Sequence, residues 1–466
     1  MVISLTNKNF RLQYLSGGIK SRFSTGLKNG TYLVVRQSKT KMALFPKNFH
    51  KMGMKTLISN THVLWVMFAR LTETRIGRII IPAIVFQSVS IGGGFSTGRE
   101  VVEYVAKYGA LGSVSILTYF TALAICGALV YEFSRKFDLY DYKSLMKNLI
   151  WHGWPIFELI YVILAVVIIA VVASAGGNLM NQILGVPVFV ANVLLIGFIF
   201  FVLYFGRGAI ERFSVVGTTF IYAVYITMFA YVLINNGGQT LEVLRSGSTA
   251  YVDNPSISAA MKSALIYAGY SLIGFIPPLF LIDRMESRSE AVLSGVLSAF
   301  MLAIPLALSY LSLLAYYPSE RVMGASVPWL AMLGSPVLLV LYGVAIGWTL
   351  TESGVGFVHS ITERIDENIR ESDYRFFATR DGLSAFERGS VGLLILLSAI
   401  WLSRIGIISL VSEVYPILAV LFTAVLVLPL LTVGLYRLSN PTWKQEFWQG
   451  WRSDSQSKAA DIEQVE

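Results

Sequence analysis

Thiols, imidazoles and early acidic residues are scarce in this chain. Its 466 residues include one cysteine and four histidines. A single thiol excludes an internal disulfide framework and any cysteine-built metal cluster. Cys126 lies in an apolar segment and reads as an inert packed thiol. His50, His62, His152 and His359 are scattered, with no HExxH or other metal spacing. No Walker-type phosphate loop occurs, which argues against ATP-driven pumping within this chain. Residues 1–72 hold twelve Lys or Arg and no Asp or Glu. The remainder carries 25 basic and 28 acidic residues, a net of −3. The formal +9 therefore belongs to the leader and gives no reason to expect a nucleic-acid partner.

What the chain has in abundance is apolar sequence. It is 55% hydrophobic with a mean hydropathy of +0.63. Apolar runs of about 20 residues recur along nearly the whole length, each long enough to cross a bilayer. The expected fold is an all-α polytopic membrane protein. Ten spans are read at about 77–107, 110–133, 155–179, 187–205, 212–235, 257–284, 289–316, 335–359, 389–404 and 407–436. They group into two five-helix repeats, 76–236 and 256–437, followed by a tail at 438–466.

The loops orient this layout. With the leader in the cytoplasm, inside loops hold Arg135, Lys136, Lys143, Lys147, Arg207, Arg212, Arg284, Arg288 and a cluster from Arg364 to Arg388. Outside loops hold only Lys107, Arg245, Lys262, Arg321 and Arg404. The bias follows the positive-inside rule and places both termini in the cytoplasm. The segment 360–388 reads as a solvated cytoplasmic loop, and Ser326 to Leu330 as a short helix in an outside loop. In the tail, Trp443, Phe447, Trp448 and Trp451 form one stripe at helical spacing, as in a helix lying on a membrane surface.

The leader, 1–75, has no compact apolar core followed by a small-residue cleavage site. Three readings stay open: an extension ahead of a true start at Met54 or Met67, an organellar transit peptide, or a basic arm on anionic lipid.

Gly92-Gly93-Gly94-Phe95-Ser96-Thr97-Gly98-Arg99-Glu100 interrupts the first span. Four glycines in seven residues disfavour helix, yet lipid leaves no water for bare backbone groups. Such a break survives where it is buried in protein or lines a polar cavity, which is how secondary transporters build substrate sites. A glycine-mediated helix crossing is the blander alternative. The charges on Arg99 and Glu100 argue against pure packing.

A second interruption, Tyr267-Ala268-Gly269-Tyr270-Ser271-Leu272-Ile273-Gly274-Phe275 followed by Pro277-Pro278, falls five spans later. Interrupted spans in corresponding positions of two halves point to a binding site between inverted repeats. The candidate solute residues are therefore Gly92, Gly93, Gly94, Phe95, Ser96, Tyr267, Gly269, Tyr270 and Ser271. Backbone at Ser90 to Phe95 and Ala268 to Leu272 would bind polar groups, with Tyr270 and Phe95 occluding the site.

In span eight, Thr349-Leu350-Thr351-Glu352-Ser353-Gly354 puts hydroxyls and a carboxylate inside an apolar run. An ionisable residue there is functional by default. Glu352 reads as a proton carrier or a cation ligand, or else as a group near the helix end that pairs with Arg364 or is wetted. The candidate coupling residues are Ser90, Gly93, Thr351, Glu352 and Ser353, with a sodium ion at Thr351 and Ser353, or a proton, as the coupled species.

Weaker features are Glu103, which can pair with Lys107; Glu158 near a span end; Ser174, Gly176, Gly177 and Asn178; Tyr222 and Tyr225; and Glu413 as an outer-gate group. Glu100 belongs with these.

At the broken spans the chain resembles the YkvI family of bacterial transporter-like proteins, within the amino acid–polyamine–organocation superfamily. That family carries Gly-Ala-Gly-Phe-Ala-Ser-Gly-Gln-Glu in its first span. Gly92 to Glu100 matches the layout and differs at Gly93, Ser96, Thr97 and Arg99. Tyr267 and Tyr270 match a Tyr-x-x-Tyr-Asn pattern, with Ser271 in the Asn place. Where the family has two adjacent threonines, this chain has Thr351 beside Glu352. The resemblance covers about 76–437. It implies a LeuT-type fold of five plus five inverted spans, discontinuous in spans one and six, working by alternating access. It also implies a small amino-acid-like or cationic solute, and a sodium ion between spans one and eight, which the Thr-to-Glu departure sets against a proton.

The expected function is secondary active transport of a small polar solute across a cytoplasmic membrane. The alternative is a membrane receptor or regulatory subunit that keeps the fold without transport. A membrane-embedded enzyme needs clustered catalytic groups, which the sequence does not offer. Substrate identity, transport direction and oligomeric state are not encoded in any motif found.

Overall fold

In the computed structural model, residues 74–204, 207–370 and 383–440 are described. The basic leader, the aromatic stripe from Trp443 to Trp451 and most of the charged loop before Ser384 lie outside the described residues. Among the described residues every regular element is helical.

The first span is built from three pieces. They are α1 (Arg75–Ser90), α2 (Gly93–Thr97) and α3 (Arg99–Tyr104). Thr74 caps α1 by accepting from the Gly77 amide, which satisfies one of the orphan donors of a helix start. Next come α4 (Gly112–Phe137), the short α5 (Tyr142–Ile150), α6 (Trp154–Leu184), α7 (Val188–Tyr204) and α8 (Arg207–Ser246). The second broken segment begins with α9 (Ile257–Ser271). It tightens to 3₁₀ geometry through Phe275 and bends by 59° into a second piece, Pro277–Arg284. Then follow α10 (Arg288–Leu314), α11 (Glu320–Met323), α12 (Pro328–Met332), α13 (Pro336–Arg370), α14 (Ala385–Ser403) and α15 (Ile407–Ser439).

Seven helices are long and apolar enough to cross a bilayer, and the bent pair makes eight. The twice-broken first segment and the shorter apolar α7 fall outside that measure, so length and composition alone do not establish ten crossings. Leu117, Leu159, Phe189, Phe201, Ile226, Val340, Leu394 and Trp401 expose large apolar side chains. This is the surface expected of helices solvated by lipid.

Two packing groups meet around the breaks. In one, α1, α4, α9 and α10 pack together. There Gly127 of α4 lies against Gly295 of α10: a Cβ on Gly295 would collide with the Gly127 main chain, and one on Gly127 would strike the Phe275 ring. Small residues permit such close crossings in membranes. Arg78 of α1 donates to Glu290 of α10 and to Glu286, at 3.0 Å each, which ties this group at one end. In the other group α6 packs against α7, α13 and α14, and α13 packs against α8. Gly176 sits against Leu195 and Gly177 against Asn192, so these small residues of α6 serve close packing.

Three expectations are corrected. The helix containing span eight does not end at 359 but runs to Arg370, taking in part of the supposed loop 360–388. Arg364 and Asp366 on this extension are buried, and the Arg364 guanidinium lies over the Tyr142 and Tyr161 rings. A charge run reads as solvated in one dimension, and stacking on aromatic faces reverses that. Span five likewise continues past 235 to Ser246. Asn236, Gln239 and Thr240 on that extension donate to Tyr316, Tyr317 and Leu311, which hold it against the end of α10. The short loop helix spans Pro328–Met332, two residues further along than read from sequence.

A candidate solute and ion site at two broken helices

The first break is a local necessity before it is a site. Ile91 leaves helical geometry at ψ 74°, so the helix stops at Ser90. Its amide still donates to Gln87, and the Gly92 amide donates to the Ser90 carbonyl. The Ile91 carbonyl points across to α13, where the Ser353 hydroxyl donates to it at 3.4 Å. The chain kinks again at Gly98, which holds φ +85°, a conformation that costs an L-residue strain and glycine almost nothing. The Ser96 carbonyl freed by this kink accepts from the Tyr225 hydroxyl at 2.8 Å and from Tyr342 at 3.1 Å.

The two breaks meet. A Cβ on Gly274 would strike the Ser90 hydroxyl and the Phe86 ring, and Phe86 stacks on Phe275 with centroids 4.1 Å apart. Between them lies a small cavity lined by Val89, Ser90, Gly92, Gly93, Glu100 and Ile168, and by Tyr270, Ser271, Ile273, Gly274, Phe357 and Tyr415. Its free volume of about 20 Å³ is room for roughly one water.

Five of the candidate residues thus line one cavity: Ser90, Gly92, Gly93, Tyr270 and Ser271. The others lie elsewhere. Gly94 is covered by the side chain of Glu100, which a Cβ there would displace. Phe95 is fully buried without forming part of the wall. Ser96 turns its hydroxyl to the Gly93 carbonyl at 3.3 Å. Gly269 faces Thr423 and Ala419 of α15, so its small size serves packing against that helix. Tyr267 stacks between Tyr104 and Tyr119 behind the wall.

Glu100 is the residue that sequence reasoning undervalued. It is buried and lies in the wall. The Tyr267 and Tyr270 hydroxyls approach its carboxylate, although the Tyr267 hydroxyl finds no well-aligned partner. No local pattern marked it: the carboxylate folds over Gly94, where a Cβ would meet it, only once the chain has kinked at Gly98. Tyr415 was also missed. It follows a π-helical turn at Leu410–Val414, a feature common at functional sites, and its ring lies 4.6 Å from that of Tyr270. Glu413, two residues earlier, is exposed.

Helix α13 carries the candidate coupling residues against the first break. Ser88 donates to the Glu352 carboxylate at 2.7 Å, and Gly92 packs beside the Ser353 hydroxyl. Thr351 and Ser353 stand on different faces of this helix. Residues two apart on a helix lie about 200° apart around its axis, and Thr351 donates to the Gly347 carbonyl of its own turn. Thr349, four residues before Ser353, shares its face and is likewise buried. Ser90 donates to the Phe86 carbonyl at 2.8 Å.

Closure at the Gly98 end is built from the loop between α10 and α13. Trp329 of α12 is fully buried against Gly98 and stands edge-on to Tyr225. Arg99 donates to the carbonyls of Met323 at 2.6 Å and Ala325 at 3.4 Å, and pairs with Glu103. Glu103 also pairs with Lys107, as their spacing predicts, and is largely buried. Glu158 accepts from Tyr142 and Asn368, a clamp between helices.

No protein-family model matches the chain. It is similar to the uncharacterized membrane protein YkvI of Bacillus subtilis, 22% identical over 341 residues, covering 72% of this chain and 90% of that protein. Among solved structures it is similar to a Na+-coupled sialic acid symporter in a substrate-bound outward-open state, with a TM-score of 0.57 at 12% identity, covering 81% and 86% of the two chains. It also resembles MhsT in complex with L-phenylalanine, with a TM-score of 0.51 at 15% identity over 77% and 87%. The manganese transporter of Eremococcus coleocola gives a TM-score of 0.50 at 14% identity over 79% and 80%. The fold is of the LeuT type, and the protein is a multi-pass membrane protein.

Proposed function

We propose that this YkvI-like membrane protein is a secondary active transporter of a small polar solute. The observation that carries the reading is the meeting of two helix breaks around one cavity, with Ser90 against Gly274. Broken backbone inside a membrane protein supplies amides and carbonyls that lipid could not satisfy, and it is tolerated where it serves a polar site. The sialic acid symporter and the manganese transporter among its structural neighbours support the same class.

In this reading Ser90, Gly92, Gly93, Tyr270 and Ser271 contact the solute. Alternating access is a rocking of α1, α4, α9 and α10 against α6, α7, α8, α13 and α14. Arg78 and Glu290 stand within the first group and keep it rigid, whereas Trp329, Tyr225 and Arg99 close one mouth between the groups. The coupled species is sodium or a proton. The Ile91 carbonyl, Ser353 and Thr349 offer the oxygen donors a hard cation prefers, and Glu352 offers a carboxylate for either. The excess of basic residues in alternate loops supports a cytoplasmic membrane location with both termini inside.

Reconstituted protein supplies the test. Solutes that stabilise the purified chain are offered to proteoliposomes under an imposed sodium or proton gradient. Uptake should follow one gradient, and Glu352→Gln should abolish the proton-driven component. Solute binding with uptake indifferent to both gradients would leave a receptor and end the transport reading.

A further inference from the structure

Away from the solute cavity, a groove with a free volume of about 330 Å³ opens between α4, α10 and α15. That volume is in the range of small-molecule sites, roughly 300–1,000 Å³. Its wall on α4 is Ile125, Ala128, Leu129 and Glu132, the spacing of a single helix face. Leu431, Leu435 and Leu438 form the wall on α15. A π-helical turn at Leu430–Gly434 underlies that wall, and such turns are frequent at functional sites. Arg288 and Val292 of α10 make the third side. The groove is graded along its length. Because α4 and α15 run toward this end of the bundle and α10 runs away from it, Glu132, Arg288 and Leu438 stand at the mouth. Ile125, Val292 and Leu431 lie about 10 Å deeper. Ile125, Leu431 and Leu435 are exposed, so the open side of the slot faces the lipid.

The charges around the mouth do not balance locally. Glu132 accepts two hydrogen bonds from Arg135, at 2.8 and 2.9 Å. Glu286 and Glu290 are held by Arg78, and Asp283 lies 3.9 Å from Arg284. Asp138 accepts from the Tyr140 hydroxyl. Among the described residues no carboxylate pairs with Arg288 or Lys136. Lys136 donates to the Leu438 carbonyl at 2.9 Å, which brings its ammonium to the mouth. Arg288 is exposed in the first turn of α10, where the helix dipole disfavours a cation. Both cations therefore gain from a negative group supplied from outside the protein. Basic pockets between membrane helices take anionic lipid headgroups in this way.

We propose that this groove is a binding site for one phospholipid of net negative charge. The headgroup phosphate meets Arg288 and Lys136, and one acyl chain fills the slot past Leu129, Val292 and Leu435. The bound lipid fastens α15 to α4 and α10. A zwitterionic phospholipid offers the same chain but brings its own cation against Arg288 and Lys136. The site stands apart from the solute cavity, and binding there does not depend on transport.

The test offers the purified full chain, in an uncharged maltoside detergent, phosphatidylglycerol or phosphatidylcholine with the same acyl chains. Native mass spectrometry counts the retained lipid, and melting temperature is read alongside. One phosphatidylglycerol should be retained per chain, at least about fivefold more tightly than phosphatidylcholine, the ratio that one basic residue near a membrane surface supplies. It should also raise the melting temperature more, and added salt should weaken the preference. Arg288→Gln should reduce the ratio, and Arg288→Gln with Lys136→Gln should erase it. Ala128→Phe should expel either lipid by filling the slot. Arg404→Gln, beyond the far end of α15, should change nothing. Equal retention of the two lipids overturns the proposal. So does a double variant that keeps the preference, or unchanged retention in Ala128→Phe. A dimer that Ala128→Phe dissociates, with no selective lipid, would make the groove an interface between copies and also overturn it. If the variants do not fold, the wild-type lipid comparison and its salt dependence decide.

Discussion

The break at Ile91–Gly92 is held by neighbours that cannot turn aside, while the break after Ser271 is held by rings and hydroxyls that can. A Cβ on Gly93 would lie 2.9 Å from the Val172 Cα and 3.0 Å from its nitrogen, both main-chain atoms of α6. The Ile91 and Ser96 carbonyls are fastened to α13 and α8 by Ser353, Tyr342 and Tyr225. At the second break Gly274 faces the Ser90 hydroxyl and the Phe86 ring. Phe275 stands between Phe86 and Tyr131, and Tyr267 and Tyr270 join the tyrosine cluster. The first break is thus the joint between the two packing groups, and the second lies within the aromatic interior of one group and α15. The proposed rocking of the groups would be absorbed at the first.

Glycine substitutions put the largest strain on that comparison. Gly93→Val should cost about 3 kcal/mol, since overpacking against main chain has no rotamer to relieve it. Gly274→Ala should cost about 1 kcal/mol, because Ser90 and Phe86 can rotate. Melting temperatures of the purified variants check this, and equal losses would erase the distinction between the breaks.

Arg99→Ala comes next. It removes hydrogen bonds from a guanidinium to the Met323 and Ala325 carbonyls, an effect of about 2 kcal/mol. Amide hydrogen exchange should rise over 320–332 and stay unchanged over 267–275. A rise at the second break instead would mean that the loop closes on both.

The smallest effect belongs to Tyr225→Phe, about 1 kcal/mol, because Tyr342 still reaches the Ser96 carbonyl. Removing both hydroxyls leaves that buried carbonyl bare, so the double variant should lose more than the sum of the singles. Simple additivity would show that the two hydroxyls do not share this acceptor.

Much of the architecture was legible in one dimension. Apolar run length located nearly every membrane helix, because lipid demands about 20 residues of uninterrupted apolar helix. Gly92 to Gly94 and Pro277-Pro278 announced the breaks, because both residue types disfavour helix wherever they fall. The site was legible only in outline. Gly269 and Gly94 look equivalent to Gly92 in sequence, yet one packs on Thr423 and the other lies under Glu100. Thr351 and Ser353 look like one hydroxyl pair, and the continuous helix α13 turns them to opposite faces. Glu100 read as a weak feature because its direction depends on the kink at Gly98, and a single positive φ re-aims everything after it.

By itself the chain determined that it crosses a membrane many times and where its helices fail. Both follow from local chemistry: hydrophobic transfer and the backbone limits of glycine and proline. Which groups face one another was decided by the tertiary structure alone. Helix crossings at Gly93–Val172 and Gly127–Gly295 set the distances, and those contacts join residues far apart in the chain. That is why Glu100, Tyr270 and Tyr415 share one cavity wall, an arrangement no local pattern encodes.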